Sequence, residues 1–179
     1  MNIRRFLIQG VLALGLPLAL SACAQEPQAT PGPTAGSTAT ESRPPGDDEA
    51  RPLLVVHKTP WCGCCTAWAE QAEAAGFAVE LHDHEDLNPI KDALGVPAHQ
   101  ASCHTAEVEG YFVEGHVPFA DIRRLLAERP QARGIAVPGM PLGSPGMEAH
   151  VTQSFSTNLI GADGGVSEYA HHPGDEPRR

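Results

Sequence analysis

Four cysteines gather in two short stretches of this chain, Trp61-Cys62-Gly63-Cys64-Cys65 and Ser102-Cys103-His104. A thiolate is both a nucleophile toward disulfides and a soft metal ligand, so two chemistries are open from the outset. On a helix, Cys62 and Cys65 share a face, the spacing by which one sulfur attacks a disulfide and the other resolves the intermediate. Cys64 adds a third sulfur beside them. It can serve as a ligand, or it can form a competing disulfide that spoils a two-cysteine cycle. A third reading is purely structural, two buried disulfides among these four cysteines in an oxidising compartment.

The elements that must hold these residues are legible around them. Leu53 to His57 is a short apolar strand, Thr59-Pro60 turns the chain, and a helix runs from about Cys62 to Ala75 and stops at Gly76. Phe77, Val79 and Leu81 alternate as a half-buried second strand, and a short helix follows with Asn88 as cap and Pro89 as its first residue. Thr105 to Val117 predicts a hairpin about Glu109-Gly110; Pro118 opens a helix with Phe119, Ile122, Leu125 and Leu126 at helical spacing, and Pro130 ends it. Beyond Ile135 come a Pro/Gly-rich loop and a final hairpin turning at Asp163-Gly164. The order strand, helix, strand, helix, hairpin, helix implies one α/β sheet with a right-handed crossover.

The cysteine motif therefore sits where the first strand hands over to the first helix. Free N–H groups and the positive end of the helix dipole favour a thiolate at Cys62. A strand, Trp-Cys-Gly-x-Cys and a helix resemble the thioredoxin active site, with Cys64 where proline usually stands. The resemblance implies a thioredoxin-like βαβ unit plus hairpin and helix, here with a C-terminal extension. In that fold a cis-proline before the third strand packs on the two cysteines. If the strand begins near Thr105, the corresponding place falls to Ser102, Cys103 or His104, and the pocket holds three or four sulfurs with an imidazole. If Pro97 is that proline, Cys103 lies further along the strand. Such a donor set suits Cu(I), Zn(II) or Cd(II). Zinc sites commonly add a second Cys-x-x-Cys or a His pair, which this sequence lacks, so copper is favoured.

Four ordered motifs, Lys58 to Cys65, Ser102 to Ala106, Glu114 to Pro118, and Val137 to Glu148, resemble the bacterial DUF411 family over about Leu53 to Tyr169. That resemblance implies an exported, copper-associated, metal-binding protein. Met140 and Met147 flank the Pro/Gly loop and are candidate thioether ligands; packing at the core edge is the alternative. His116 precedes the Pro118 helix and either faces the cysteines or is an ordinary loop histidine. Glu80, His82 and His84 alternate on one strand face, as ligands of a harder ion or as an exposed edge. Trp61 and Trp68 are expected to shield the cysteine helix and pack it on the sheet.

The N-terminus predicts export. Arg4 and Arg5 precede an uncharged run from Phe6 to Leu20, shorter than the roughly 18 residues of a membrane span, which meets Leu20-Ser21-Ala22-Cys23. It resembles a lipoprotein signal over residues 1–22, with Cys23 lipidated. Residues 23–52 read as a flexible tether, 53–170 as the folded domain and 171–179, including His171 and His172, as a tail. Ala24 after the lipid site implies an outer-membrane destination in a Gram-negative cell envelope.

The net charge of −10, with 22 acids against 12 bases and no basic cluster, argues against a nucleic-acid binder. No Gly-x-Ser-x-Gly elbow, phosphate loop or His-Glu-x-x-His pattern occurs. The favoured expectation is a lipid-anchored periplasmic protein binding a soft metal, Cu(I) foremost, through Cys62, Cys65 and Cys103 with Cys64 auxiliary. Its partners would be the metal, the membrane through its lipid, and a metal-transfer or thiol-reducing protein. The alternative is a thiol:disulfide oxidoreductase using Cys62 and Cys65.

Overall fold

The computed structural model describes residues 51–175; the expected signal segment, Cys23, the tether as far as residue 50 and residues 176–179 lie outside them. The chain runs β1 (Leu53–Lys58), α1 (Gly63–Ala74), β2 (Ala78–Asp83), α2 (Asn88–Leu94), a 3-10 turn (Ala98–Gln100), β3 (Thr105–Val108) and β4 (Tyr111–Glu114). It continues through α3 (Phe119–Glu128), β5 (Ala132–Ala136), β6 (Phe155–Gly161) and β7 (Val166–His172). The strands form one mixed sheet ordered β2-β1-β3-β4-β5-β6-β7. Two pairs are parallel, β1 with β2 and β4 with β5, each joined by a crossover helix.

Alternation along each strand divides the apolar side chains between two faces. On one, Leu54, Val56, Ala106, Val108, Val113 and Ile135 pack with Trp68 and Ala72 of α1 and Ile122 and Leu125 of α3. In α1 the buried residues are Cys65, Trp68, Ala69 and Ala72, the one-sided spacing of a helix lying on a sheet. On the other, Leu94 and Val96 at the end of α2 cover Phe112, Ala136 and Ile160. The cysteine helix is therefore anchored through Trp68, which is fully buried and whose indole N–H donates to Val117 O at 3.0 Å. Among the described residues no helix is long and apolar enough to cross a membrane.

Four expectations change. The cap of α2 is Leu87, with Asn88 its first residue and the Asp86 carboxylate accepting the Asn88 N–H at 2.9 Å, because the side chain two residues back reaches that donor. β5 is a strand that its sequence, Ala-Arg-Gly-Ile-Ala, does not announce. β7 continues through His171 and His172, placed in the tail by composition; His172 stacks on Phe155 and bonds the buried Asp121 carboxylate at 2.8 Å. Trp61 does not pack on the sheet: it precedes the helix, points outward and is 69% exposed.

Candidate metal centre

The turn after β1 sets the geometry. Cys62 N–H donates to Thr59 O at 3.1 Å, which closes the turn and leaves Cys62 as the extended cap of α1. From there the helix carries Cys65 inward, buried beside Trp68, while Cys62 and Cys64 stay half-buried. The opposite wall comes from Ser102 to His104, immediately before β3, which begins at Thr105. Cys103 Sγ thus stands 3.4 Å from Cys65 Sγ, and Cys62 Sγ is 3.6 Å from Cys64 Sγ. All four sulfurs lie within 4.8 Å of one another. Cys62 and Cys65 are joined as a disulfide, with Cα atoms 5.4 Å apart, and Cys64 and Cys103 are free thiols.

Two imidazoles extend the cluster from the Cys103 side. Cys103 Sγ, His104 and His116 form a second group whose ligand atoms lie within 4.8 Å. His116 reaches it because the end of β4 folds tightly over the segment before β3. Gly115 N–H donates to His104 O at 2.9 Å, and at Gly115, with φ +73°, a Cβ would sit 2.6 Å from Val137 O. Only glycine fits there. His116 Nδ1–H donates to Pro145 O at 2.8 Å, which leaves the Nε2 lone pair 3.0 Å from Cys103 Sγ. A backbone carbonyl fixing the far nitrogen is how metal-ligating histidines are commonly oriented.

His104 is more unusual. Its ring lies 4.7 Å from Trp68 and edge-on to His116 at 5.0 Å, with Nδ1 3.5 Å from Cys103 Sγ. It is fully buried, and its Nε2 is the one buried side-chain nitrogen or oxygen without a hydrogen-bond partner among the described residues. A buried unsatisfied nitrogen costs about 1–3 kcal/mol, so its retention calls for a compensating role.

Burial sets the protonation of these groups. It holds His104 well below the usual imidazole value, helped by the neighbouring His116 and Lys91. It also lowers His116, against an opposing effect of the Pro145 carbonyl and Glu148. Both are therefore neutral, the form that ligates. Desolvation and the neighbouring Cys64 push the Cys103 thiol up to about 12. Without a cation to neutralise it this thiol keeps its proton; a bound metal would displace the proton and take the thiolate.

A Pro/Gly loop closes the centre from a third side. Gly146, at φ +78°, presses on the first turn of α1 so closely that a Cβ would meet Cys64 O at 2.7 Å and Trp68 N at 2.9 Å. Met147 follows it directly and is half-buried, whereas Met140, at the other end of the loop, is 52% exposed. The residues expected from the sequence are thus gathered as far as Cys62, Cys64, Cys65, Cys103 and His104, with Met147 on the adjoining loop and Met140 facing solvent. His116 is the member that spacing left undecided. The signal was its place one residue after the glycine that ends β4.

The family model described as "Protein of unknown function, DUF411" matches residues 100–147, the segment that carries Cys103, His104, His116 and the Pro/Gly loop. Two solved structures are similar over nearly their whole lengths. One, described as copper resistance protein copG, Form 2, is 44% identical, with a TM-score of 0.66 over 69% of this chain and 99% of that one. The other, Form 1 of the same protein, is 44% identical with a TM-score of 0.65 over 68% and 97%. No curated protein matches the sequence. The chain belongs to the DUF411 family, together with these copper resistance proteins.

Proposed function

We propose that this protein binds copper, as Cu(I), at the cluster of Cys62, Cys64, Cys65, Cys103, His104 and His116, and buffers it or passes it on in the cell envelope. One observation carries the reading: four sulfurs and two neutral imidazoles meet in two overlapping groups, each within 4.8 Å, with a buried nitrogen left unpartnered. Thiolate and imidazole together suit a soft ion, and the solved relatives are described as copper resistance proteins. Met147 and Met140 supply thioethers at the edge for capture or release. Cys23, lipidated once the leader of residues 1–22 is removed, would tether the domain to a membrane. Loading at Cys62 and Cys65 requires their disulfide to be opened, two electrons and two protons coming from a dithiol reductant through a mixed disulfide.

Native mass spectrometry of the reduced full chain, offered Cu(I) against a competing chelator, tests this. Bound copper should appear with the thiols protected from alkylation. The Cys62→Ser/Cys65→Ser variant should keep its fold by circular dichroism and lose at least about 100-fold in affinity, beyond the 10–100-fold typical of supporting residues. Unchanged affinity would contradict the proposal.

The disulfide itself favours a second reading, a thiol:disulfide oxidoreductase in which Cys62 attacks and Cys65 resolves. It expects a mixed disulfide with a partner to accumulate in Cys65→Ser. No copper uptake together with such a trapped species would replace the first reading by the second.

A further inference from the structure

A second set of metal-ligating groups stands on the other face of the sheet, apart from the sulfurs. Leu54 and Val56 of β1 point toward α1, so His57 projects to the opposite side. The parallel register places His82 of β2 directly beside it, and His84, two residues on, shares that face. The ladder continues past the strand end, with His84 N–H donating to Lys58 O at 2.8 Å, so the third histidine is held in line. Ring centroids are 5.1 Å apart for His57 and His84, 5.4 Å for His57 and His82 and 6.4 Å for His82 and His84, so His57 and His84 make the close pair and His82 flanks it.

The carboxylates around them decide which nitrogens are free. His57 Nε2 lies 3.1 Å from Glu107 and His82 Nε2 lies 2.6 Å from Glu80. In each pair the N–H donates to the carboxylate, which leaves the Nδ1 lone pair of His57 and of His82 without that proton. His57 Nδ1 then faces His84 Nε2 at 3.0 Å. Two nitrogens bound to one tetrahedral ion, with bonds of about 2.0–2.1 Å, stand about 3.3 Å apart, close to this spacing. A carboxylate behind a histidine that offers its other nitrogen is the usual support of a metal-bound imidazole.

We propose that this open face is a separate site for a divalent cation of intermediate softness, Cu(II), Zn(II) or Ni(II), ligated by His57 Nδ1 and His84 Nε2 with solvent in the remaining positions. Glu107 orients the His57 imidazole. Without an ion the neutral His84 donates its Nε2–H to His57 Nδ1; binding takes the other tautomer of His84, its proton carried on Nδ1, so that both lone pairs turn to the metal with no net proton released. Nitrogen donors and thiolates sort ions by softness, so this site and the cysteine cluster would hold different ions, or different oxidation states of one.

Ni(II) is a suitable probe because it does not oxidise thiols. The unreduced full chain, with Cys62 and Cys65 bonded, should take up one Ni(II) that broadens the ring nitrogen resonances of His57 and His84. His57→Gln/His84→Gln should weaken uptake at least about tenfold, and Glu107→Gln, which alters only the support, by several-fold. Cys64→Ser/Cys103→Ser should leave it unchanged. Undiminished binding in the histidine variant, loss in the cysteine variant, or no uptake below millimolar Ni(II) would each overturn the proposal.

Discussion

Two polar clusters share the short stretch Ser102 to Thr105 and the end of β4, yet only one is complete. Around Glu114 every group has a partner: its carboxylate accepts from Lys91 Nζ at 2.5 Å, from the Ser102 N–H at 2.5 Å and from Thr105 Oγ1 at 2.6 Å. Lys91 also donates to Thr105 Oγ1 at 2.9 Å. One residue out of phase, Cys103, His104 and His116 form a cluster with a raised thiol and an orphaned nitrogen. The satisfied cluster is a clamp that holds the chain in place. The other is held by that clamp, and it is there that copper, bound as proposed, would meet its ligands. A buried polar group without a partner calls for an explanation, and a bound ion is one.

This contrast can be broken from either side. The largest effect is expected from the clamp: Glu114→Ala strands the buried Lys91 ammonium and should cost about 3–5 kcal/mol in denaturant unfolding. Copper affinity should fall with it, because Cys103 loses its fixed position. His116→Ala comes next. It should weaken Cu(I) at least about tenfold in a chelator competition while changing the stability of the metal-free chain far less than Glu114→Ala does. His104→Leu sharpens the distinction further, since it removes an unsatisfied nitrogen. The metal-free protein should then stay within about 1 kcal/mol of the parent, or gain stability, while copper binding weakens.

The smallest effect is on pH dependence. Folding depresses the proton affinity of His104 and His116 below the usual 6.5, so the unfolded chain binds more protons than the folded one in that region. The stability from these neutral imidazoles is complete above about pH 6.5 and is lost as pH falls below it toward the folded values. Thermal unfolding of the metal-free chain across this range should show that decline, and a shallower one in His104→Leu. Equal slopes would mean that His104 binds its proton alike in the folded and unfolded chain.

The chemistry of the centre was more legible than its full membership. Cys62, Cys64 and Cys65 could be placed because a short apolar strand, a Thr-Pro turn and a helix ended by Gly76 are local signals. The place of Cys103 depends on where the third strand starts, which sequence leaves open between Thr105 and a register set by Pro97; β3 begins at Thr105. His116 is thirteen positions from Cys103, and its arrival depends on hairpin register and on a contact with Pro145, neither of which spacing encodes. β5 escaped notice for a related reason. Its Gly134, Ile135 and Ala136 are all buried, so no alternation shows, and a side chain at Gly134 would collide with the Phe112 backbone and ring of β4. His82 and His84 were visible as an alternating pair, but His57 joins them only through the parallel register of β1 and β2.

Copper K-edge X-ray absorption on the reduced, Cu(I)-loaded full chain tests the central claim most directly. The account expects a first shell dominated by sulfur with an imidazole contribution that diminishes in His116→Ala, and a sulfur shell that collapses in Cys62→Ser/Cys65→Ser. A shell of nitrogen and oxygen alone, unaltered by the cysteine substitutions, would contradict it.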